Sequence, residues 1–360
     1  MTDQDWMARA LELAARGRGA TSPNPMVGAV VVRDDVVLGE GYHARAGERH
    51  AEVVALDAAG DTARGATLYC TLEPCSHTGR TPPCAHRIVA DGVARVVVAA
   101  EDPNPRVDGA GFAILRAGGI EVVTGVLRGP ARRLNEGFFT VQEKGRPFVT
   151  LKAAVSQDGR IATAPGTRTP LTGAAAQHHA HRVRAEVDAI VVGSETVLVD
   201  DPILTARGHH ERRRPLVRVV FDTRLRTPPA ARLLQTRAEG PVVVVSTRGA
   251  CDMAPERAAA LEHAGARLVR LSRRDPAEAM RRLVDLDVCT VLLEGGALMY
   301  RACWAARVVD RLRLYVAPTL LGRGGVGWWP DHWRSLARLG WRDVGLGSDV
   351  LMESDVQRID

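Results

Sequence analysis

The sequence predicts an α/β protein built as two domains. Its 360 residues exceed what one ordinary hydrophobic core serves, so two cores are expected. Short apolar runs alternate with helix-period segments through both halves. Between the halves lies a charged Gly/Pro segment, Glu143-Lys144-Gly145-Arg146-Pro147, taken as the boundary between domains 1–146 and 147–360.

The N-terminal stretch from Met1 to Gly17 is amphipathic and carries acids near its start, so it reads as a first helix. It lacks the basic start and apolar centre of a signal peptide, and no apolar run approaches a membrane span; a cytoplasmic protein is expected. Val27–Val32 and Val36–Gly41 read as a hairpin turning at Arg33-Asp34-Asp35. A helix near Ala51–Ala59 follows, with Val53, Val54 and Leu56 as apolar positions. A strand at Thr67–Thr71, a helix after Cys84, a strand at Arg95–Ala100, a helix around Gly111–Ala117 and a strand at Glu121–Thr124 continue the alternation. A last helix at about Pro130–Gln142 leads into the boundary.

The second half restarts with an apolar strand, Phe148–Val155, and a turn at Ser156-Gln157-Asp158-Gly159. Strands are expected at Ala189–Gly193, Leu216–Asp222, Val242–Ser246, Leu268–Leu271, Thr290–Glu294 and Arg313–Val316. Helices are expected at Ala174–Arg184, Ala254–Ala264 and Pro276–Asp285. This is a second α/β domain with its own sheet.

Hydrophobic content of 46% and charged content of 25% are those of a globular chain. The net charge of +6 invites a nucleic-acid reading. Against it, the arginines are scattered among acids and aromatic content is only 4%, leaving little to stack bases on. Anionic small molecules satisfy the same charge, so neither nucleic acid nor membrane is expected as a partner. The six cysteines are sparse; apart from the two considered next, they read as small core residues in a reducing compartment.

His50-Ala51-Glu52 is followed by Pro74-Cys75 and then Cys84. One imidazole and two thiolates suit zinc and leave a fourth position open to water, while a nearby carboxylate can move protons. The pattern is similar to the H-x-E…P-C-x-x-C signature of zinc nucleobase deaminases, except that eight residues separate the cysteines here. In this setting His50 opens a helix, Glu52 lies in its first turn, and Cys75 follows a strand. A structural zinc site is the alternative, with His43, His77 or His86 as fourth ligand.

In the second half, Thr290-Val291-Leu292-Leu293-Glu294-Gly295-Gly296 running into Ala297 is a strand, a glycine pair and a helix start. Helix N-termini and glycines accommodate phosphate, although a plain turn explains the same pattern. No GxGxxG is present, so an ordinary Rossmann site is not supported. Gly193-Ser194-Glu195-Thr196 is a second strand-to-helix turn, and Asp200-Asp201-Pro202 ends the segment after it. These residues suggest a domain that binds a phosphorylated cofactor.

With these motifs assembled, the chain resembles the bifunctional riboflavin-biosynthesis family, a pyrimidine deaminase fused to a pyrimidine reductase. The resemblance rests on Asn24-Pro25-Met26-Val27-Gly28, on His50-Ala51-Glu52, and on the run from Thr71 to Cys84 with its long cysteine gap. It continues through Asp102-Pro103-Asn104-Pro105, Lys152-Ala153-Ala154, Leu171-Thr172-Gly173, the run from Gly193 to Pro202, Glu294-Gly295-Gly296 and the run from Ala317 to Gly322. One departure is Pro170, where the family commonly has an aromatic residue at its cofactor pocket.

The resemblance implies a cytidine-deaminase-like three-layer α/β/α domain holding one zinc ion, and a dihydrofolate-reductase-like α/β domain binding NADPH. It assigns zinc to His50, Cys75 and Cys84 and proton transfer to Glu52. Asn24 is expected to hold the pyrimidine, His77 and Arg80 to meet the ribose phosphate, and Asp102 and Asn104 to bind ribose or ring. Loop hydrogen bonding is the alternative role for the last four. In the second half the resemblance places Ala154, Thr196, Asp200, Thr223, Gly295 and Gly296 around NADPH, and Arg184, Leu204, Arg207 and Glu294 toward the substrate. Lys152 stays ambiguous, while His178, His179 and His181 are read as helix-surface or structural residues. A homo-oligomer is expected, with Trp328, Trp329 and Trp333 either buried or at an oligomer contact. A second reading keeps the deaminase but has the reductase half degenerate or redirected to a related pyrimidine.

Overall fold

The computed structural model describes residues 1–76, 83–104, 109–208, 212, 214–329, 336 and 339–356. The chain divides into two compact units, Met1–Gly145 and Arg146–Asp360.

The first unit runs α1 (Asp3–Ala15), β1 (Gly28–Arg33), β2 (Val36–Tyr42), α2 (Ala51–Ala59), β3 (Thr67–Leu72), α3 (Cys84–Ala90), β4 (Arg95–Ala100), α4 (Ala110–Ala117), β5 (Glu121–Thr124), α5 (Arg128–Leu134) and α6 (Glu136–Lys144). Its sheet has the order β2-β1-β3-β4-β5. β1 is antiparallel to β2 and β3, while β3, β4 and β5 are parallel. Successive strand residues face opposite sides. Ala29, Val31, Leu68 and Val96 join one apolar cluster with Leu56, Ile88 and Leu115 of α2, α3 and α4. Val30, Val32, Tyr69 and Val97 join another with Trp6, Met7 and Phe139 of α1 and α6. The result is the expected three layers.

Local chemistry fixes the details. Asp34 and Asp35 both have positive φ, 50° and 58°, as the tightest hairpin turns require. Gly41 on β2 lets α2 approach until a Cβ there would meet the carbonyl of Ala51, which seats the start of α2 against the sheet. The single helix expected at Pro130–Gln142 is instead two, α5 and α6, divided at Asn135. The Asn135 side chain is bonded to Met26 instead: Oδ1 accepts its N–H at 2.7 Å and Nδ2 donates to its carbonyl at 2.8 Å.

The second unit runs β6 (Phe148–Ser156), β7 (Arg160–Ala162), α7 (Ala174–Glu186), β8 (Ala189–Gly193), α8 (Ser194–Asp200), β9 (Val217–Phe221), α9 (Arg232–Gln235), β10 (Val242–Thr247), α10 (Arg248–Met253), α11 (Pro255–His263), β11 (Ala266–Leu271), α12 (Pro276–Val284), β12 (Thr290–Leu293), α13 (Ala297–Ala305), β13 (Arg311–Ala317), β14 (Val326–Gly327), β15 (Arg342–Leu346) and β16 (Asp349–Asp355). The main sheet has the order β11-β10-β9-β8-β12-β6-β13-β16-β15, and β7 pairs with β14 separately. The strands from β11 to β13 are parallel; β16 and β15 add an antiparallel edge. Helices cover both faces, which is why the parallel strands read as unbroken apolar runs. The β15–β16 hairpin was not expected from sequence. Trp328 and Trp329 are buried core residues packed beside Trp304, while Trp333 lies outside the described residues. No helix among the described residues is long and apolar enough to cross a membrane.

Candidate active sites

Three elements of the first unit deliver one donor each. His50 is the N-cap of α2, in extended conformation, and its side chain does not cap its own helix. Cys75 follows β3, and Cys84 is the first residue of α3. His50 Nδ1 lies 3.3 Å from Cys84 Sγ and 3.6 Å from Cys75 Sγ. All three donor atoms lie within 4.8 Å of one another. Tetrahedral zinc, with bonds of about 2.0–2.1 Å to nitrogen and about 2.3 Å to sulfur, would separate such atoms by about 3.5–3.8 Å. The donor set and its spacing therefore fit zinc. Among the described residues no other His, Cys, Asp or Glu joins this group.

The electrostatics match. A hydrogen bond from Cys84 lowers the Cys75 thiol to about 4, and the same bond holds the Cys84 proton. Thiolate ligands must be deprotonated to bind a metal, and Cys75 is the thiol of this pair already biased that way. His50 is raised, first by its bond to Cys75. Glu52 is 4% exposed, and burial pushes its carboxyl up.

His43 takes no place in the donor group. Its Nδ1 meets the Arg49 carbonyl at 3.1 Å and so carries the hydrogen; its Nε2 then accepts from Asn24 Nδ2 at 3.2 Å. It stands edge-on to the His50 ring. His86 is exposed on α3, and His77 and Arg80 lie outside the described residues. Asp102 and Asn104 follow β4, with the Asn104 N–H donating to Asp102 Oδ1 at 2.9 Å. Two residues that sequence reasoning did not single out support these loops. Asn135 brackets Met26, two positions beyond Asn24. Glu73, 3% exposed, receives the backbone N–H groups of Asp102, Gly109 and Gly111. Both pairings are long-range and leave no local pattern.

The second unit holds a cavity of about 1130 Å³ at the carboxyl ends of its parallel strands. Ala154, Thr196, Asp200, Thr223 and Gly296 line it, as do Arg184 and Arg207. Gly296 is the N-cap of α13, and a Cβ there would meet open space. Gly295, Leu204 and Glu294 are not among the lining residues. Gly295 packs against Met299, Leu204 is 3% exposed with φ of 58°, and Glu294 is bonded to Arg184. Lys152 also lines the cavity, 3.7 Å from Glu294 and beside the Tyr315 ring. Burial opposes ionisation of Glu294, but Arg184 and Lys152 outweigh it and hold the carboxyl at about 2. Burial raises Asp200, which Arg168 approaches at 3.8 Å.

The three histidines of α7 divide. His178 is exposed, and His179 Nδ1 bonds the Tyr315 hydroxyl at 2.8 Å. His181 lines the cavity and accepts the Arg207 N–H at 3.1 Å. Pro170 lies on the cavity wall between Thr169 and Leu171.

Comparison with known proteins gives this geometry a family. Residues 1–100 match the cytidine and deoxycytidylate deaminase zinc-binding region, and residues 147–341 match the RibD C-terminal domain. The riboflavin biosynthesis protein RibD of Aquifex aeolicus is 41% identical over 322 residues, covering 89% of this chain and 88% of that one. That of Escherichia coli is 41% identical over 341 residues, covering 91% and 90%. Among solved structures, Acinetobacter baumannii RibD superposes with a TM-score of 0.88 at 38% identity, covering 99% of each chain. A Thermotoga maritima diaminohydroxyphosphoribosylaminopyrimidine deaminase/5-amino-6-(5-phosphoribosylamino)uracil reductase gives 0.84 at 33%, covering 98% of each. A deaminase-type zinc region, a reductase-type second domain and near full-length similarity in both sequence and fold agree, and the chain belongs to the RibD family of riboflavin biosynthesis proteins.

Proposed function

We propose that residues 1–146 deaminate 2,5-diamino-6-(5-phosphoribosylamino)pyrimidin-4-one and that residues 147–360 reduce the ribosyl group of the product to a ribityl chain with NADPH. The observation that carries the reading is the His50–Cys75–Cys84 cluster with a buried acid, Glu52, in the same helical turn as the imidazole. His50, Cys75 and Cys84 would hold zinc, one per chain, which when bound would supply Lewis acidity and lower the pKa of a water. Glu52 would take one proton from the attacking water and pass it to the ring nitrogen as the water oxygen bonds the amino-bearing carbon, then move the remaining hydroxyl proton to the amino group, so that the C–N bond breaks and ammonia leaves. Burial favours the protonated form of Glu52 and so suits it to hold a proton between these steps. Asn24, with its amide oriented by His43, faces the pyrimidine, and Asp102 and Asn104 face ring or ribose. His77 and Arg80 are assigned to the phosphate by resemblance to the family motif.

In the second unit, cavity volume and lining support a dinucleotide and a phosphorylated substrate bound together; about 300–1,000 Å³ is usual for one small molecule. NADPH supplies the hydride and the protein supplies orientation and charge. Ala154, Thr196, Asp200, Thr223, Gly295 and Gly296 are assigned to the cofactor. Arg207 suits the substrate phosphate by its forked donors, and Arg184, Leu204 and Glu294 are assigned to the substrate side with it. The two-domain match to bifunctional relatives favours this reading over a degenerate or redirected reductase. We place the protein in the cytoplasm, where six free cysteines are stable. Mass spectrometry of products with and without NADPH tests the whole scheme. The diaminopyrimidine should lose its amino group without NADPH and gain hydride only with it; NADPH consumed without deaminated substrate, or never consumed, overturns the assignment.

A further inference from the structure

We propose that Glu73 is a positioning residue for the deamination site, acting as the latch that fixes the Asp102–Asn104 loop relative to the strand end carrying Cys75. The inference rests on the reading of the first unit as a deaminase. Glu73 directly follows β3 and leads into Pro74 and Cys75. Its own N–H donates to the Ala100 carbonyl at 3.0 Å, tying it to the end of β4. Its carboxylate receives both ends of the loop that follows β4. Oε2 accepts the N–H groups of Asp102 and Gly109, each at 3.3 Å, and Oε1 accepts that of Gly111 at 3.0 Å. Gly111 comes so close that a Cβ there would strike the carbonyl of Pro74. One buried carboxylate therefore gathers donors from residues seven and nine positions beyond Asp102, while Asp102 itself orders Asn104 through a 2.9 Å bond. The side chain points into this cradle of amides and belongs to no metal-donor group, so its effect on the reaction passes through the loop.

Glu73→Gln replaces one acceptor oxygen with an amide whose hydrogens face backbone N–H groups; Glu73→Asp keeps the charge but shortens its reach. Full-length protein with zinc bound is compared in four measurements: KM and kcat for deamination, zinc content, hydrogen exchange of peptides spanning residues 101–112, and turnover of deaminated substrate by the reductase half. The expected result for Glu73→Gln is a KM raised roughly tenfold or more with kcat changed far less, as loss of charge-assisted hydrogen bonds behind a binding loop implies. Exchange of the 101–112 peptides should quicken, zinc content and reductase turnover should hold, and Glu73→Asp should recover part of the KM. An unchanged KM overturns the proposal, as does loss of zinc, or a fall in deaminase and reductase turnover together. Absence of deaminase activity in the wild-type protein would instead refute the reading of the first unit; the exchange comparison would then decide the latch alone, with unaltered protection overturning it.

Discussion

The guanidinium of Arg184 grips both carboxylate oxygens of Glu294, Nε to Oε1 and Nη2 to Oε2, at 2.7 Å each. Its third nitrogen donates to the Thr205 carbonyl at 3.3 Å, so one side chain joins α7, the end of β12 and the loop that carries Leu204 and Arg207. Side-chain exposure is 17% for Arg184 and 7% for Glu294. Breaking such a pair leaves a buried charge uncompensated, which costs about 3–5 kcal/mol. Glu294→Gln should destabilise the second unit by roughly that amount in denaturant unfolding, whereas Arg184→Met with Glu294→Leu should cost much less than the sum of the single changes. The acid dependence has a definite sign. Glu294 is depressed from 4.5 to about 2, so its stabilisation is complete above about pH 4.5 and is lost as pH falls through about 2.

Asn135 performs in the first unit what a neighbouring strand would perform, giving Met26 both a donor and an acceptor. It is 4% exposed, so an alanine there leaves the Met26 backbone groups unsatisfied. Asn135→Ala should cost about 2 kcal/mol. It should also raise the deamination KM, because Asn24 lies on the same loop; an unchanged KM would separate the loop's stability from its function.

The inner strands of both sheets were legible because they are covered on both faces and so appear as continuous apolar runs, and Asp34-Asp35 marks the first hairpin. The convergence of His50, Cys75 and Cys84 was legible because each sits where a helix begins or a strand ends, and such boundaries have local signals. What escaped depends on partners distant in sequence. The break between α5 and α6 is made by a residue whose amide pairs with Met26, 109 positions away. The β15–β16 hairpin escaped because β15 is exposed along most of its length and shows no apolar alternation; the Gly347 turn, with φ of 68°, was its one local mark. Neither the role of Glu73 nor the commitment of Arg184 to Glu294 has a sequence pattern at all. The resemblance could assign Arg184 and Glu294 to the substrate, but not that each bonds the other.

His179 should make the second unit sensitive to mild acid. Burial, with Arg182 and Arg313 nearby, lowers its imidazole from 6.5 to about 4. The unfolded chain binds the proton from about pH 6.5 downward, while the folded chain resists it until about pH 4. Stability therefore falls as pH is lowered across that window and stops changing, for this group, below it. His179→Gln keeps a polar partner for the Tyr315 hydroxyl and removes the titration. The slope of melting temperature against pH between those limits should flatten in the variant; an identical slope would assign the effect to other groups.

Removal of the metal and removal of the proton carrier should give different losses. Cys84→Ser takes away a donor that lies 3.3 Å from the imidazole and should abolish zinc retention and deamination together. A chelator should do the same reversibly, while turnover of deaminated substrate by the second unit continues. Glu52→Gln should keep zinc at the wild-type level, since Glu52 stands outside the donor group, and still lower deamination by about 10²–10⁴-fold. Elemental analysis beside single-turnover deamination checks each case. Zinc retained with near wild-type turnover in Glu52→Gln would remove the carboxylate from the chemistry and leave the cluster as a structural centre.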